Sequence, residues 1–257
     1  MIKATNFAKF AVQVVKQTPL RLHGAQDGLP IPPPKLLYLV AGTADVAWFL
    51  QSGSLAASSM QDILAKNGIT TSQFEAVLDF GCGCGRVIRH LSSWQTTKLY
   101  GVDYNPQLIK WCQRNLRSAQ FMTNDLNPPL SYANAAFDFI YALSVFTHMP
   151  EALQLAWMSE LTRVLKPGGL LLITTHGDYY LQYLTSDEQA QYRAGHLVIH
   201  FEIEAGSNTC AAFHPVTYVR EYLACGLTVI DHGVEGAKGN PRQDVLLLRK
   251  PIDLKLG

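Results

Sequence analysis

The nine residues Val77-Leu78-Asp79-Phe80-Gly81-Cys82-Gly83-Cys84-Gly85 constrain this chain more than any other stretch. Val77, Leu78 and Phe80 form a short apolar run of the kind that suits a buried parallel strand. Three glycines at alternate positions then permit a sharp turn. They accept positive φ, and without a Cβ they let a ligand approach the backbone. From Arg86 onward, Val87-Ile88-Arg89-His90-Leu91 places apolar residues at helical spacing, which predicts a helix over about 85–94. Free N–H groups at such a helix start favour electron-rich ligand atoms. A second strand-like run, Thr97 to Val102, ends at Asp103. An acid at that point of a strand–helix–strand unit, about twenty residues past the glycines, is placed to accept hydrogen bonds from ribose hydroxyls. The spacing is G-x-G-x-G, not the dinucleotide G-x-G-x-x-G. Taken alone, it also describes a tight turn with no ligand.

Downstream, strands and helices alternate, the pattern of a parallel sheet. Strands are predicted at about 76–80, 98–103, 119–122, 138–143 and 170–175, and helices at about 85–94, 106–117 and 150–164. Pro106 and Pro150 stand in first helical turns, where proline forfeits no hydrogen bond. Pro215 to Ala224 reads as a further helix, Leu227-Thr228-Val229-Ile230 as a sixth strand and Asp244 to Arg249 as a seventh. Open sheets of this kind bind ligands at the carboxyl ends of their strands, and Asp79, Asp103, Asp125 and Ser144 all fall there.

These motifs together resemble the Rossmann-like, S-adenosylmethionine-dependent methyltransferases. Asp79 to Gly85 looks like that family's first motif, Asp103 matches its ribose-binding acid, and Asn124-Asp125 resembles its adenine-contacting motif. Phe137 to Met149 resembles its fourth strand and following loop, and Leu165-Lys166-Pro167-Gly168-Gly169 the turn before its fifth strand. The resemblance covers about residues 70–180 and implies an α/β fold, a doubly wound, mostly parallel seven-stranded sheet whose last strand is antiparallel. It also implies S-adenosylmethionine as cofactor. Gly81, Gly83 and Gly85 would admit its amino-acid end, with Asp79 orienting the ammonium. Asp103 would take the ribose, Tyr104 would lie beside the adenine, Asp125 or Asn124 would accept from its amino group, and Leu126 would pack on the ring. Ser144 would contact the methionine end. Arg86 either reaches the cofactor carboxylate or faces solvent.

Residues 1–70 read as an N-terminal arm and helical cap, and 71–257 as the methyltransferase domain. Phe7, Phe10, Val14 and Val15 mark one face of a short helix. Gly28 to Pro34 is proline-rich and extended. Two helices follow, one from Thr43 ending at Gly53 and one capped by Ser54 and running to Lys66. Tyr38, Trp48 and Phe49 either roof the pocket or serve as ordinary packing. Residues 176–214 interrupt the alternation as an insert. His196 to Ile203 and Thr209 to Phe213, turning at Gly206-Ser207-Asn208, read as a β-hairpin. It either shapes acceptor specificity or covers a sheet edge.

With 21 basic and 20 acidic residues and no Lys/Arg run, nothing marks a nucleic-acid footprint. No stretch reaches membrane-spanning length. Five cysteines, of which Cys82 and Cys84 form only a C-x-C, imply neither a disulfide framework nor a metal site, and a reducing cytoplasm suits them. The oligomeric state is left open. His148, in the loop after the fourth strand, is either a general base or a loop-orienting group. His176, His196, His200 and His214 lie in or beside the insert. No N-P-P-Tyr type motif follows the fourth strand, which disfavours nucleobase amino groups and glutamine amides as acceptors. The expectation is O-methyl transfer to a small or medium polar molecule. Competing readings are a catalytically silent cofactor-binding module and an NAD-dependent oxidoreductase.

Overall fold

The central sheet is built from strands whose successive side chains point into two different cores. In the computed structural model, which describes residues 25, 27–94, 97–201, 210–240 and 242–252, these are β1 (Ala76–Phe80), β2 (Lys98–Asp103), β3 (Ala119–Thr123), β4 (Phe137–Ala142), β5 (Leu165–Thr175), β8 (Thr228–Gly233) and β9 (Asp244–Arg249). Their order is β3-β2-β1-β4-β5-β9-β8. Every pair is parallel except β5–β9 and β8–β9. Val77, Phe139, Leu170, Leu172 and Leu247 face one core, while Leu78, Ile140, Leu171, Ile173 and Leu248 face the other. That alternation follows from the two-residue side-chain period of a strand. Each such residue, fully buried, stabilises the fold by roughly 1.5–3 kcal/mol. The N-terminal helix face expected at Phe7, Phe10, Val14 and Val15 and the hairpin turn at Gly206-Ser207-Asn208 lie outside the described residues.

Helices cover both faces. On the first lie α2 (Val46–Lys66) and α3 (Pro106–Asn115); on the second lie α4 (Glu151–Val164) and α6 (Val216–Tyr218, continuing as a π-helix over Val219–Leu223). Helix α1 (Pro34–Ala41) precedes them, so Pro34 opens a helix where an extended stretch was expected. The two helices expected around Gly53 are one. Asp45 caps it by accepting the Trp48 N–H at 3.0 Å, and Gly53 lies mid-helix. A Cβ at Gly53 would stand 2.0 Å from the Arg86 carbonyl oxygen, so glycine here serves close packing and not a helix end.

The predicted α-helix over 85–94 does not form. The chain turns tightly into a 3-10 helix over Ile88–His90. This tighter path brings two guanidinium groups inward. Arg86 is 8% and Arg89 1% exposed. Arg89 donates to Asp27 at 2.7 and 2.9 Å and to the carbonyls of Leu29 and Pro30. A solvated helical face would have left both arginines outside.

The insert contains α5 (Ser186–Arg193) and a two-stranded antiparallel pair, β6 (Val198–Phe201) and β7 (Cys210–Phe213). A bridge between His176 and Phe213 ties β7 to the end of β5. Among the described residues no helix is long and apolar enough to cross a membrane.

Candidate functional site

A cavity of about 560 Å³ opens along the carboxyl ends of β1–β5 and the start of β9. Its wall includes Asp79, Gly81, Gly83, Arg86, Asp103, Tyr104, Asn124, Leu126, Ser144 and His148, all singled out from sequence. Gly85 and Asp125 are not in the wall. Gly85 sits behind the turn, at φ +77°, where a Cβ would lie 2.3 Å from Leu116 Cδ1. Asp125 is exposed. Of the three aromatic residues left between roofing and packing, Tyr38 and Trp48 line the cavity. Phe49 is fully buried beneath them.

The end under β1–β3 is preformed by the chain's own backbone. Asp103 accepts the Gly83 N–H at 2.9 Å on one carboxylate oxygen and the Asn105 N–H at 2.9 Å on the other. It therefore pins the glycine turn, and each oxygen keeps a lone pair for a diol. Burial raises its pKa, and these two backbone donors oppose the shift. Asp79 is 4% exposed, and burial pushes it up to about 7, against the pull of the Tyr141 hydroxyl and the Arg86 guanidinium. Arg86 does not face solvent. It donates to Asn240 Oδ1 at 2.6 Å and to Ser52 Oγ and the Gly239 carbonyl at 3.3 Å, so the turn is tied to the β8–β9 connection. Asn124 Oδ1 is buried with no hydrogen-bond partner among the described residues, although its amide nitrogen donates to the Asp125 carbonyl. An orphaned buried acceptor beside Tyr104 and Leu126 suits a ring bearing an amino group.

The end under β4 and β5 is held by residues far apart in sequence. Ser144 adopts φ +60°, a left-handed conformation that costs a non-glycine residue on the order of 1–3 kcal/mol unless its surroundings hold it. Here they do. Its N–H donates to Thr174 Oγ1 at 2.8 Å, and Gln243 Nε2 donates to its hydroxyl at 2.5 Å. Thr174 donates in turn to Gln243 Oε1 at 2.7 Å. The second amide hydrogen of Gln243 points to His176 Nε2 at 3.4 Å. His148 Nδ1 lies 2.8 Å from the Cys210 carbonyl and His176 Nδ1 lies 3.2 Å from the Ala212 carbonyl. A carbonyl only accepts, so both imidazoles carry their proton on Nδ1 and present a lone pair at Nε2. Burial lowers both pKa values, that of His176 to about 4. Of the other insert histidines, His200 pairs with Glu188 at 2.7 Å and His214 is buried against Gln154 at 3.0 Å. His196 lines a separate surface pocket.

Residues 77–169 match a family model described as a methyltransferase domain. Over these residues the chain carries a methyltransferase domain, and its sheet has the Rossmann-like order. A sterol 24-C-methyltransferase of Schizosaccharomyces pombe is 30% identical over 135 residues, 51% of this chain and 33% of the relative. A 2-methyl-6-phytyl-1,4-hydroquinone methyltransferase of Synechocystis is 33% identical over 100 residues, 38% of this chain and 30% of the relative. The match thus spans about a third of these relatives' length. A solved structure of the Burkholderia thailandensis 1,6-didemethyltoxoflavin-N1-methyltransferase, with 1,6-didemethyltoxoflavin and S-adenosylhomocysteine bound, superposes with a TM-score of 0.56. It is 18% identical and covers 86% of this chain and 92% of that one, a likeness in fold. The residues at the cavity that sequence reasoning missed are Gln243, Asn240, Thr174 and Tyr180, all C-terminal to the matched methyltransferase domain. None stands in a local motif. Only their positions at the ends of β5 and β9 could have pointed to them.

Proposed function

We propose that this chain transfers a methyl group from S-adenosylmethionine to a hydroxyl of a small molecule. The observation that carries the reading is that one cavity gathers the glycine turn, Asp103, Asn124 and His148 along the strand ends. The cofactor, when bound, supplies a methyl on a positively charged sulfur, so the C–S electron pair leaves readily with the sulfur. Asp103 would hold the ribose diol and Asn124 Oδ1 the adenine amino group, with Tyr104 and Leu126 against the ring. Asp79 would face the ammonium, and an ammonium there would draw its carboxyl back to the ionised form.

His148 would do the proton work. Its Nδ1–H is committed to the Cys210 carbonyl, which leaves Nε2 to take the acceptor's hydroxyl proton as the oxygen bonds to the methyl carbon. Holding the acceptor in line with the breaking bond supplies the rest of the acceleration.

The test is turnover of methyl-labelled S-adenosylmethionine by the purified chain over pools of small-molecule acceptors. Label should appear in a hydroxyl-bearing acceptor, with equimolar S-adenosylhomocysteine. Tight binding of S-adenosylhomocysteine with no transfer to any pool would point instead to a silent cofactor-binding module.

A further inference from the structure

We propose that the acceptor is an uncharged aromatic molecule carrying one free hydroxyl, bound between Ser144, His148 and the Tyr180–His176 ring pair. This rests on the methyl-transfer reading and narrows its substrate.

Charge is the first ground. Among the described residues, the formally charged side chains in the cavity wall are Asp79, Arg86 and Asp103, which belong to the glycine turn and the strands beside it. Arg86 is already bonded to Asn240, Ser52 and the Gly239 carbonyl. Past the end of β4 the wall includes Ser144, Val145, His148, Met149, His176, Tyr180 and Gln243, with Trp157 and Asn240 also in the lining and no formally charged side chain among the described residues there. A carboxylate or ammonium on the acceptor would leave water there with no counter-charge to meet it.

Shape is the second. The His176 and Tyr180 rings lie 4.1 Å apart at 37°, and the edge-on His148 ring is 6.3 Å from His176. Together with Val145 and Met149 they make a flat-sided apolar slot, which a planar ring fills better than a puckered polyol.

Hydrogen-bonding capacity is the third. His176 Nε2 faces the Gln243 amide, and Gln243 spends both amide hydrogens and its oxygen on Ser144, His176 and Thr174. Of the groups in this network, His148 Nε2 is left as an acceptor and the Ser144 hydroxyl hydrogen as a donor, since Ser144 Oγ already accepts from Gln243. One hydroxyl satisfies both. A sugar would bring several more and leave them unpaired. An aromatic hydroxyl also ionises within reach of a neutral imidazole, close to the tyrosine value of about 10, whereas an aliphatic alcohol does not. In the step itself the phenolic oxygen bonds to the methyl carbon, the C–S bond breaks with its electron pair going to sulfur, and the proton goes to His148 Nε2.

The experiment is calorimetry on the full chain already saturated with S-adenosylhomocysteine. The probes are 2-naphthol, 6-hydroxy-2-naphthoate and methyl β-D-glucoside. The expected result is that 2-naphthol binds at least tenfold more tightly than the naphthoate, and that the glucoside gives no heat. In Tyr180→Ala, 2-naphthol should weaken at least tenfold while S-adenosylhomocysteine affinity stays within twofold. Tighter binding of the naphthoate or the glucoside, or no binding of 2-naphthol to the saturated chain, overturns the proposal. Failure of S-adenosylhomocysteine to bind in the preceding titration would remove the methyl-transfer reading itself, so the two failures are told apart.

Discussion

The two ends of the cavity are built by different means. Under β1–β3, Asp103 reaches back twenty residues to the glycine turn and forward two to Asn105, all within one strand–turn–strand unit. Under β4 and β5 the bonds span 30 residues from Ser144 to Thr174, 62 from His148 to Cys210, 69 from Thr174 to Gln243 and 99 from Ser144 to Gln243. The carboxylate grip of the first end forms within a local unit, and Arg86 adds a distant tie to Asn240 and Gly239. The second requires the insert hairpin and the last strand to dock. Local opening draws on the least supported elements, so the second end should open first and the first should survive it.

The division is broken or sharpened by perturbing each end alone. The largest effect is expected from His148→Ala. If His148 is the base proposed above, its removal should lower turnover by about 10²–10⁴-fold. S-adenosylhomocysteine affinity, measured by calorimetry, should change less than twofold. Parallel loss of both would mean that the ends are one unit.

Gly85→Val comes next. Its positive φ and the close approach of Leu116 Cδ1 should lower unfolding stability by about 3 kcal/mol in urea titration. A loss under 1 kcal/mol would show that the turn is looser than its packing indicates.

Asp103→Ala should weaken S-adenosylhomocysteine by about 1–3 kcal/mol through lost charge-assisted bonds. Two backbone N–H groups lose their acceptor as well, so urea unfolding should also show a loss of about 1 kcal/mol. Unchanged affinity would count against the whole nucleoside end.

The smallest effect is a difference in pH dependence between the ends. Burial raises Asp79 from 3.8 to about 7, so its contribution to stability is full below pH 3.8 and is lost as pH rises through 7. Burial lowers His176 from 6.5 to about 4, so its contribution is full above pH 6.5 and is lost as pH falls through 4. The two oppose each other between pH 4 and 6.5. Asp79→Asn should therefore gain stability relative to the parent as pH rises from 4 to 7. His176→Phe should gain relative to the parent as pH falls from 6.5 to 4. Denaturation midpoints across that range decide it, and profiles parallel to the parent's would show that neither group is as desolvated as its burial indicates.

The same division explains what was legible in the sequence. The seven strands and their order of appearance could be read because apolar runs, turn glycines and helix-opening prolines are local signals, while the antiparallel last strand came from the family resemblance. The position of Asp79, Asp103, Gly81 and Gly83 at the cavity could also be read. The helix expected after the glycine turn could not be judged from periodicity, because partners at Asp27, Leu29, Pro30, Asn240 and Gly239 draw Arg86 and Arg89 inward. Gly53 looked like a helix end because its reason for being glycine is the Arg86 carbonyl, distant in sequence. Helix α5 carried a readable signal in Thr185 and Glu188, which form a capping box, but it lies in an insert where a hairpin was the stronger pattern. Gln243 gave no signal at all. Its role comes from where β9 begins beside β5.

The most direct test of the central claim is a calorimetric titration of the chain with S-adenosylhomocysteine, run beside NAD. One equivalent of S-adenosylhomocysteine should bind and NAD should give no heat. No heat from S-adenosylhomocysteine, or NAD binding of equal strength in the same cavity, would contradict the account.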